Sequence, residues 1–211
     1  MQSDIDNPYW IINQNELTSK TKRITGGISG NYTVAKWWDL TARLGYDQHT
    51  TDDYTYIAPG SAVAPLYQNG RLSKNDVDYS FLTSTLMSNF HKNFGDFETH
   101  LMVGATTENT ETFSQNHWGY GFVTAGTISL NNIANTNKFF SDRTVQRRLF
   151  GAYGEAGVSY KSLAYLTITG RNDWSSTLPI ENRSYFYPSV SGSLIFTELM
   201  PKNNILTYGK L

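Results

Sequence analysis

Apolar and polar residues alternate along much of the chain, most clearly in two runs near its C-terminal end, residues 164–173 and 186–196. Successive side chains of a strand point to opposite sides, so each run predicts a β-strand with one apolar and one polar face. Each run is about ten residues long, which is close to what a tilted strand needs to cross a bilayer.

The same alternation recurs earlier, at 22–34, 40–47, 78–90, 97–106 and 150–160. In 78–90 two registers compete, because apolar residues fall on both faces: Leu82, Leu86 and Phe90 on one, and Tyr79, Phe81 and Met87 on the other. We therefore predict seven strands and, at 206–211, the beginning of an eighth.

The connections alternate in length along the chain. Short turns fall near 36, 94, 162 and 201, whereas long polar loops fall at 49–76, 108–146 and 174–185; residues 1–20 are predicted to be the end of another long loop. Tight turns on one rim and long loops on the other predict an all-β, antiparallel, up-and-down transmembrane β-barrel, of which this chain is a part.

Aromatic residues gather beside the short turns and predict an interfacial girdle at that rim. They are Tyr32, Trp37, Trp38, Phe90, Phe94, Tyr160, Tyr165 and Phe196.

Composition adds mainly exclusions. The 211 residues are 39% hydrophobic and 14% aromatic, carry a net charge of −1 and include no cysteine. No basic block suggests nucleic acid, and disulfides and cysteine-bound metals are excluded. The four histidines are far apart and no catalytic motif occurs, so we expect no metal, no cofactor and no enzymatic activity.

The loop predicted at 108–146 contains F-S-Q-N-H-W-G-Y-G-F (113–122), in which aromatic rings stand among hydrogen-bonding side chains. Such a mixture suits a sugar or peptide ligand, and Trp118 and Tyr120 are the candidate contacts; the alternative is that these rings only pack the loop. Arg171 and Asp173 lie on a polar strand face, where we expect ion pairs with neighbouring residues.

Four segments resemble SusC/RagA-type TonB-dependent outer-membrane transporters. They are N-P-Y-W (7–10), G-R-N-D-W-S-S-T-L (170–178), N-R-S-Y-F-Y-P-S-V-S-G-S-L-I-F-T-E (182–198) and L-T-Y-G-K-L (206–211). The resemblance implies a large plugged barrel in the outer membrane of a Gram-negative, Bacteroidetes-like cell. It also implies a SusD-like surface lipoprotein partner, a glycan or peptide cargo, and coupling to the TonB complex through a plug.

The N-terminal ten residues are polar and acidic rather than a signal peptide, and no plug segment is recognisable. We therefore expect residues 1–211 to be a fragment of the barrel domain. A soluble or surface β-sandwich that binds carbohydrate is the alternative; it would direct the apolar strand faces into an inner core.

Overall fold

A computed structural model describes residues 6–62, 64–161, 163–200 and 208–211. In these residues a short helix, α1, is followed by seven strands that form one open antiparallel sheet in the order β1 to β7. The elements are α1 (Pro8–Gln14), β1 (Glu16–Ala35), β2 (Trp38–Ile57), β3 (Arg71–Phe94), β4 (Phe97–Tyr120), β5 (Lys138–Tyr160), β6 (Ala164–Ser175) and β7 (Ser184–Leu194).

The predicted strand number and the alternation of connections are confirmed. Short connections at 36–37, 95–96 and 161–163 alternate with long ones at 58–70, 121–137 and 176–183. The turn expected near 201 and the first part of the strand expected at 206–211 lie outside the described residues. Leu211 nevertheless exchanges two backbone hydrogen bonds with Leu194 of β7, at 2.9 and 3.0 Å, so pairing with β7 is present at that point.

The predicted strand lengths are wrong for the first five strands, which run for 20 to 24 residues. Much of the sequence assigned to loops at 49–76 and 108–146 is strand, because the backbone of a segment can pair with adjacent strands without an alternating pattern of side chains. The ten-residue runs mark the apolar part of each strand. Residues 1–20 are also not simply loop, since Asn7 caps α1 through a 2.9 Å bond from the Tyr9 amide and β1 begins at Glu16.

The β3–β4 hairpin settles the ambiguous register. Both strands have 24 residues and a two-residue turn containing Gly95 (φ 61°) joins them. Ser84 bonds to Thr107 at 2.7 Å and Thr85 bonds to Thr106 at 3.1 Å, as an unbroken hairpin register requires. This register puts Leu86 on the apolar face, where 57% of its surface is exposed.

The structure contains two compact units. The first consists of Met1–Thr25, Asp47–Phe81 and Thr110–Gln146, and it holds a small apolar core of Ile57, Ala58, Leu72 and Ile133. The second consists of Gly26–Tyr46, Leu82–Asn109 and Arg147–Leu211, and it contains the described short turns.

The second unit leaves its apolar face uncovered. Ala156, Ile168 and Val190 form one cross-strand row of β5, β6 and β7, and 68% of Val190 is exposed. The neighbouring row on the other face consists of Glu155, Thr169 and Ser189. Other exposed apolar side chains of this unit are Ile28, Leu44, Leu101, Val103 and Leu166.

This arrangement rules out the sandwich alternative for the part of the chain that the structure describes. A sandwich packs the apolar face of one sheet on that of another, whereas the seven strands here belong to one sheet. Within the described ranges, no helix combines the length and the apolar character that crossing a membrane requires.

Candidate ligand site and exposed apolar face

Five side chains of the first unit form an aromatic–arginine cluster. They are Tyr67, Arg71, Trp118, Tyr120 and Phe139. Trp118 and Tyr120 were predicted to lie in a loop, which is wrong, because β4 continues to Tyr120. A strand holds its side chains in fixed directions, so this placement gives the two rings a defined orientation.

The rings stack across neighbouring strands. The indole of Trp118 lies on Phe139 with ring centroids 4.3 Å apart and planes inclined by 19°. Tyr120 is 6.1 Å from Phe139 and 6.1 Å from Tyr67, which follows β2 in the connection at 58–70. Together these rings present several aromatic faces at the ends of β4 and β5.

Arg71 stands between two of the rings. Its guanidinium carbon is 5.0 Å from the centroid of Tyr67 and 5.1 Å from that of Trp118, within the range of cation–π attraction. No described carboxylate lies within ion-pair distance of Arg71. Its Nε–H is buried and has no hydrogen-bond partner among the described residues. A buried donor left without an acceptor costs about 1–3 kcal/mol.

Two glycines close the strand pair beside the cluster. The amide of Gly121 donates to the carbonyl of Gly70 at 2.8 Å, directly beyond the facing residues Arg71 and Tyr120. Gly70 has φ +86°, and any Cβ there would come within 2.5 Å of the Phe122 ring. Glycine is required at position 70 for both reasons, and the tight closure fixes the base of Arg71.

The loop that follows β4 is internally braced by Asn132. Its amide nitrogen donates to the carbonyls of Thr124 and Thr127 at 2.7 Å, and its oxygen accepts from the Thr124 amide at 2.9 Å. The carbonyls of Asn69 and Asn132 accept from the amides of Phe122 and Val123 at 2.9 Å. The loop is therefore held together by Asn132 and tied through Asn69 to the connection at 58–70.

Sequence reasoning found Trp118 and Tyr120 but missed the other three members of the cluster. Tyr67 and Arg71 lie in the stretch assigned to the loop at 49–76, and Phe139 lies at the far end of the loop assigned to 108–146. The pairing of β3 with β4 could have found Arg71. The two-residue turn at 95–96 sets a register in which position 71 faces position 120. This register reaches those positions only if the strands are about twice as long as predicted.

The polar face of the second unit carries its own side-chain pairs. Nε2 of His100 lies 3.1 Å from Oε1 of Glu155. The guanidinium of Arg171 donates to Asp173 at 2.8 Å and lies 5.5 Å from the ring of Tyr153. Ion pairs with neighbouring residues were expected for these two side chains; in the structure Arg171 and Asp173, two positions apart on β6, pair with each other. Among the described residues, no group of acidic and histidine side chains is arranged to hold a metal ion.

Aromatic residues do gather at the short-turn end of the second unit. Trp37 and Trp38 both stack with Phe90, at 6.1 and 5.7 Å, and Phe97 lies 4.8 Å from Tyr160. Tyr165, which was predicted to belong to the girdle, lies on the polar face instead of the apolar face. It is paired across the strands with Ser159 and Ser193. Its position follows from the strict side-chain alternation of β6.

A second aromatic pair on the apolar face lies near the far end of β6. Phe150 and Trp174 occupy one cross-strand row, and their ring centroids are 5.3 Å apart. On β7, Phe186 is on the same face and 65% of it is exposed. Exposed apolar side chains of the second unit therefore lie between aromatic residues at both ends, as they do on the lipid-facing surface of a transmembrane barrel.

Comparison with known proteins identifies the fold. The sequence matches no protein-family model and no curated protein. The structure is similar to that of the RagAB peptide transporter, with a TM-score of 0.83 and 16% identity over 93% of this chain and 22% of that chain. The RagAB peptide importer in its closed-closed state gives a TM-score of 0.81 and 16% identity over 90% of this chain and 22% of that one.

The chain thus has the fold of part of a TonB-dependent transporter barrel. It spans about a fifth of the length of those transporter chains. A likeness at 16% identity establishes the fold, and a shared fold does not by itself imply the same cargo or partners.

Proposed function

We propose that this chain forms part of the barrel wall of an outer-membrane, TonB-dependent transporter of the SusC/RagA type. The observation that carries the proposal is the uncovered apolar face of the second unit, on which 73% of Ile28 and 68% of Val190 are exposed. Exposure of this kind is costly in water and is typical of a lipid-facing surface. The likeness in fold to the RagAB transporter supports the same assignment.

The apolar stretch has the right dimension for this role. In β7 it extends from Phe186 to Leu194, and in β5 from Phe150 to Tyr160. About ten residues at about 3.3 Å each span about 33 Å, and a strand tilted by about 40° then crosses an apolar layer of about 25 Å. The first five strands, at 20 to 24 residues, are longer than this layer requires.

The cargo would be a glycan or a peptide, captured with a SusD-like surface lipoprotein and driven by the TonB complex through a plug. The resemblance in 170–178 and 182–198 supports this cargo class, and the RagAB likeness adds a peptide transporter as the structural relative. In this scheme the chain contributes lipid-facing wall, lumen lining and outer loops. Trp118 and Tyr120 would then contact the cargo.

The DNA that flanks the reading frame tests the proposal. We expect an upstream region that encodes a signal peptide and a plug, and a downstream region that encodes more alternating strands and a SusD-like lipoprotein. A ribosome-binding site before Met1 and a stop codon after Leu211, with no barrel sequence on either side, would contradict it.

A further inference from the structure

We infer that Arg71 is the anchor for the terminal carboxylate of a peptide, with the neighbouring rings holding the residues that precede it. The inference rests on the proposed transport function and names a chemical group that the transporter recognises. It starts from the Arg71 guanidinium, which has no described carboxylate within ion-pair distance, and from its buried Nε–H, which has no described acceptor.

The two rings that contact Arg71 favour binding of a planar anion at its free edge. Tyr67 and Trp118 lie 5.0 and 5.1 Å from the guanidinium carbon, so they limit its rotation and leave its edge as the hydrogen-bonding side. A guanidinium edge presents two parallel N–H groups, and these match the two oxygens of a carboxylate. The described partners of Arg71 are aromatic rings, and a bidentate carboxylate would supply the acceptor that its Nε–H lacks.

The surroundings favour an organic ligand over a free inorganic anion. Phe139 is stacked on Trp118 and 39% of it is exposed, so it offers an apolar surface next to the charged group. An inorganic anion would leave that surface unused, whereas an acyl chain or a peptide side chain would cover it.

A second unsatisfied group distinguishes a peptide from other carboxylates. Asn116 lies two residues before Trp118 on the same face of β4, and its buried Oδ1 has no described hydrogen-bond partner. Asn116 is four residues from Tyr120, or about 13 Å along β4, and Tyr120 is the residue that faces Arg71. An extended peptide bound through its carboxylate at Arg71 would carry amide N–H donors over that distance, and a neutral glycan has no charge for the arginine.

The test is equilibrium dialysis of the 211-residue chain in detergent micelles against labelled N-acetyl-trialanine, compared with the same peptide as its C-terminal amide. We expect the free acid to bind about tenfold or more tightly than the amide, because a charge-assisted pair is lost in the amide. Arg71→Gln should abolish that preference. Arg43→Gln, which removes the same charge from an exposed position on β2, should keep it.

Equal binding of acid and amide, no binding of either, or a preference that survives Arg71→Gln would overturn the inference. So would tighter binding of a neutral oligosaccharide that Arg71→Gln leaves unchanged. If Arg71→Gln does not fold, NMR of the wild-type chain labelled at arginine provides the test. Addition of the acid should shift the Nε–H resonance of Arg71, whereas the amide should leave it unchanged; an unchanged resonance with the acid would also overturn the inference. Peptide binding in micelles does not require insertion into a bilayer. A negative binding result would therefore overturn the carboxylate anchor without bearing on the proposed membrane location.

Discussion

The imidazole of His100 occupies the space that a side chain at Gly157 would need, and it lies beside Glu155, 3.1 Å from Nε2 to Oε1. The same relationship recurs on the polar face, where a glycine on one strand accommodates a larger neighbour: Thr83 at Gly45, Tyr153 at Gly104, and Arg171 with Asp173 at Gly151. Glycine within a strand weakens it intrinsically, so these positions are explained by the side chains that they admit.

Gly157→Ala should therefore displace the His100 ring and break its contact with Glu155. Overpacking of this kind costs about 1–3 kcal/mol, and we expect the lower half of that range because 49% of the His100 side chain is exposed and can rotate away. Urea unfolding of the chain in detergent measures the loss. Gly154→Ala on the same strand is the control, since its nearest neighbour, the Met102 carbonyl oxygen, lies at an ordinary 3.5 Å. Equal effects of the two substitutions would contradict the explanation.

Replacing Trp118 should loosen the aromatic–arginine cluster. Trp118→Ala removes the stack on Phe139 and one ring from Arg71, and we expect a loss of about 1–2 kcal/mol from these contacts. Trp118→Phe retains an aromatic face and should lose less than half as much. Unfolding midpoints in detergent compare the two variants, and an unchanged midpoint for Trp118→Ala would show that the ring contributes nothing to the fold.

The short turn at 161–163 predicts a pH dependence. The Lys161 ammonium lies 3.1 Å from the Asp96 carboxylate, and this hydrogen bond raises the pKa of Lys161 above its ordinary value of 10.5. A group whose pKa is raised in the folded state stabilises that state fully below its unfolded pKa, and the contribution is lost as the pH rises through the folded pKa.

We accordingly expect the melting temperature of the wild type to exceed that of Asp96→Asn at pH 9, and the difference to shrink above pH 11. Thermal melts of both proteins across this range provide the measurement. Because both side chains are more than half exposed, the difference should be small and should fall with added salt. A difference that grows with pH would have the wrong sign for this pair.

A charge on the apolar face should prevent membrane insertion. Ile168→Arg introduces a cation into the row of Ala156 and Val190, and a lipid-facing arginine near the bilayer midplane costs about 2–4 kcal/mol. Thr169→Arg, one residue further along, points to the polar face beside Glu155 and should insert like the wild type. Flotation with lipid vesicles after refolding compares the two; similar insertion would argue against a lipid-facing row.

Side-chain alternation predicted the seven strands and their faces, and the alternating lengths of the connections predicted their up-and-down order. Side-chain alternation failed for strand length. The outer parts of β2, β3 and β4 carry no continuous alternation of apolar and polar residues, so a prediction based on that pattern missed them. Backbone pairing with neighbouring strands maintains these segments, and pairing leaves little trace in composition.

The candidate site was only half predictable for the same reason. Trp118 and Tyr120 were identified because aromatic residues are concentrated within ten consecutive positions. Arg71 lies on β3 and Phe139 on β5. Both come close to Trp118 because β4 pairs with β3 and with β5 along their polar outer parts. Because the predicted strands ended before these residues, the sequence pattern offered no reason to pair Arg71 or Phe139 with β4.

The measurement that tests the membrane-wall proposal most directly uses single cysteines in a chain that has none of its own. Val190→Cys and Ser189→Cys, each labelled with an environment-sensitive fluorophore, place the probe on opposite faces of β7 after refolding into lipid vesicles. We predict blue-shifted emission, quenched by brominated lipid, at position 190, and water-like emission without that quenching at position 189. Water-like emission at both positions, or lipid quenching at 189 alone, would contradict the assignment of this face to the bilayer.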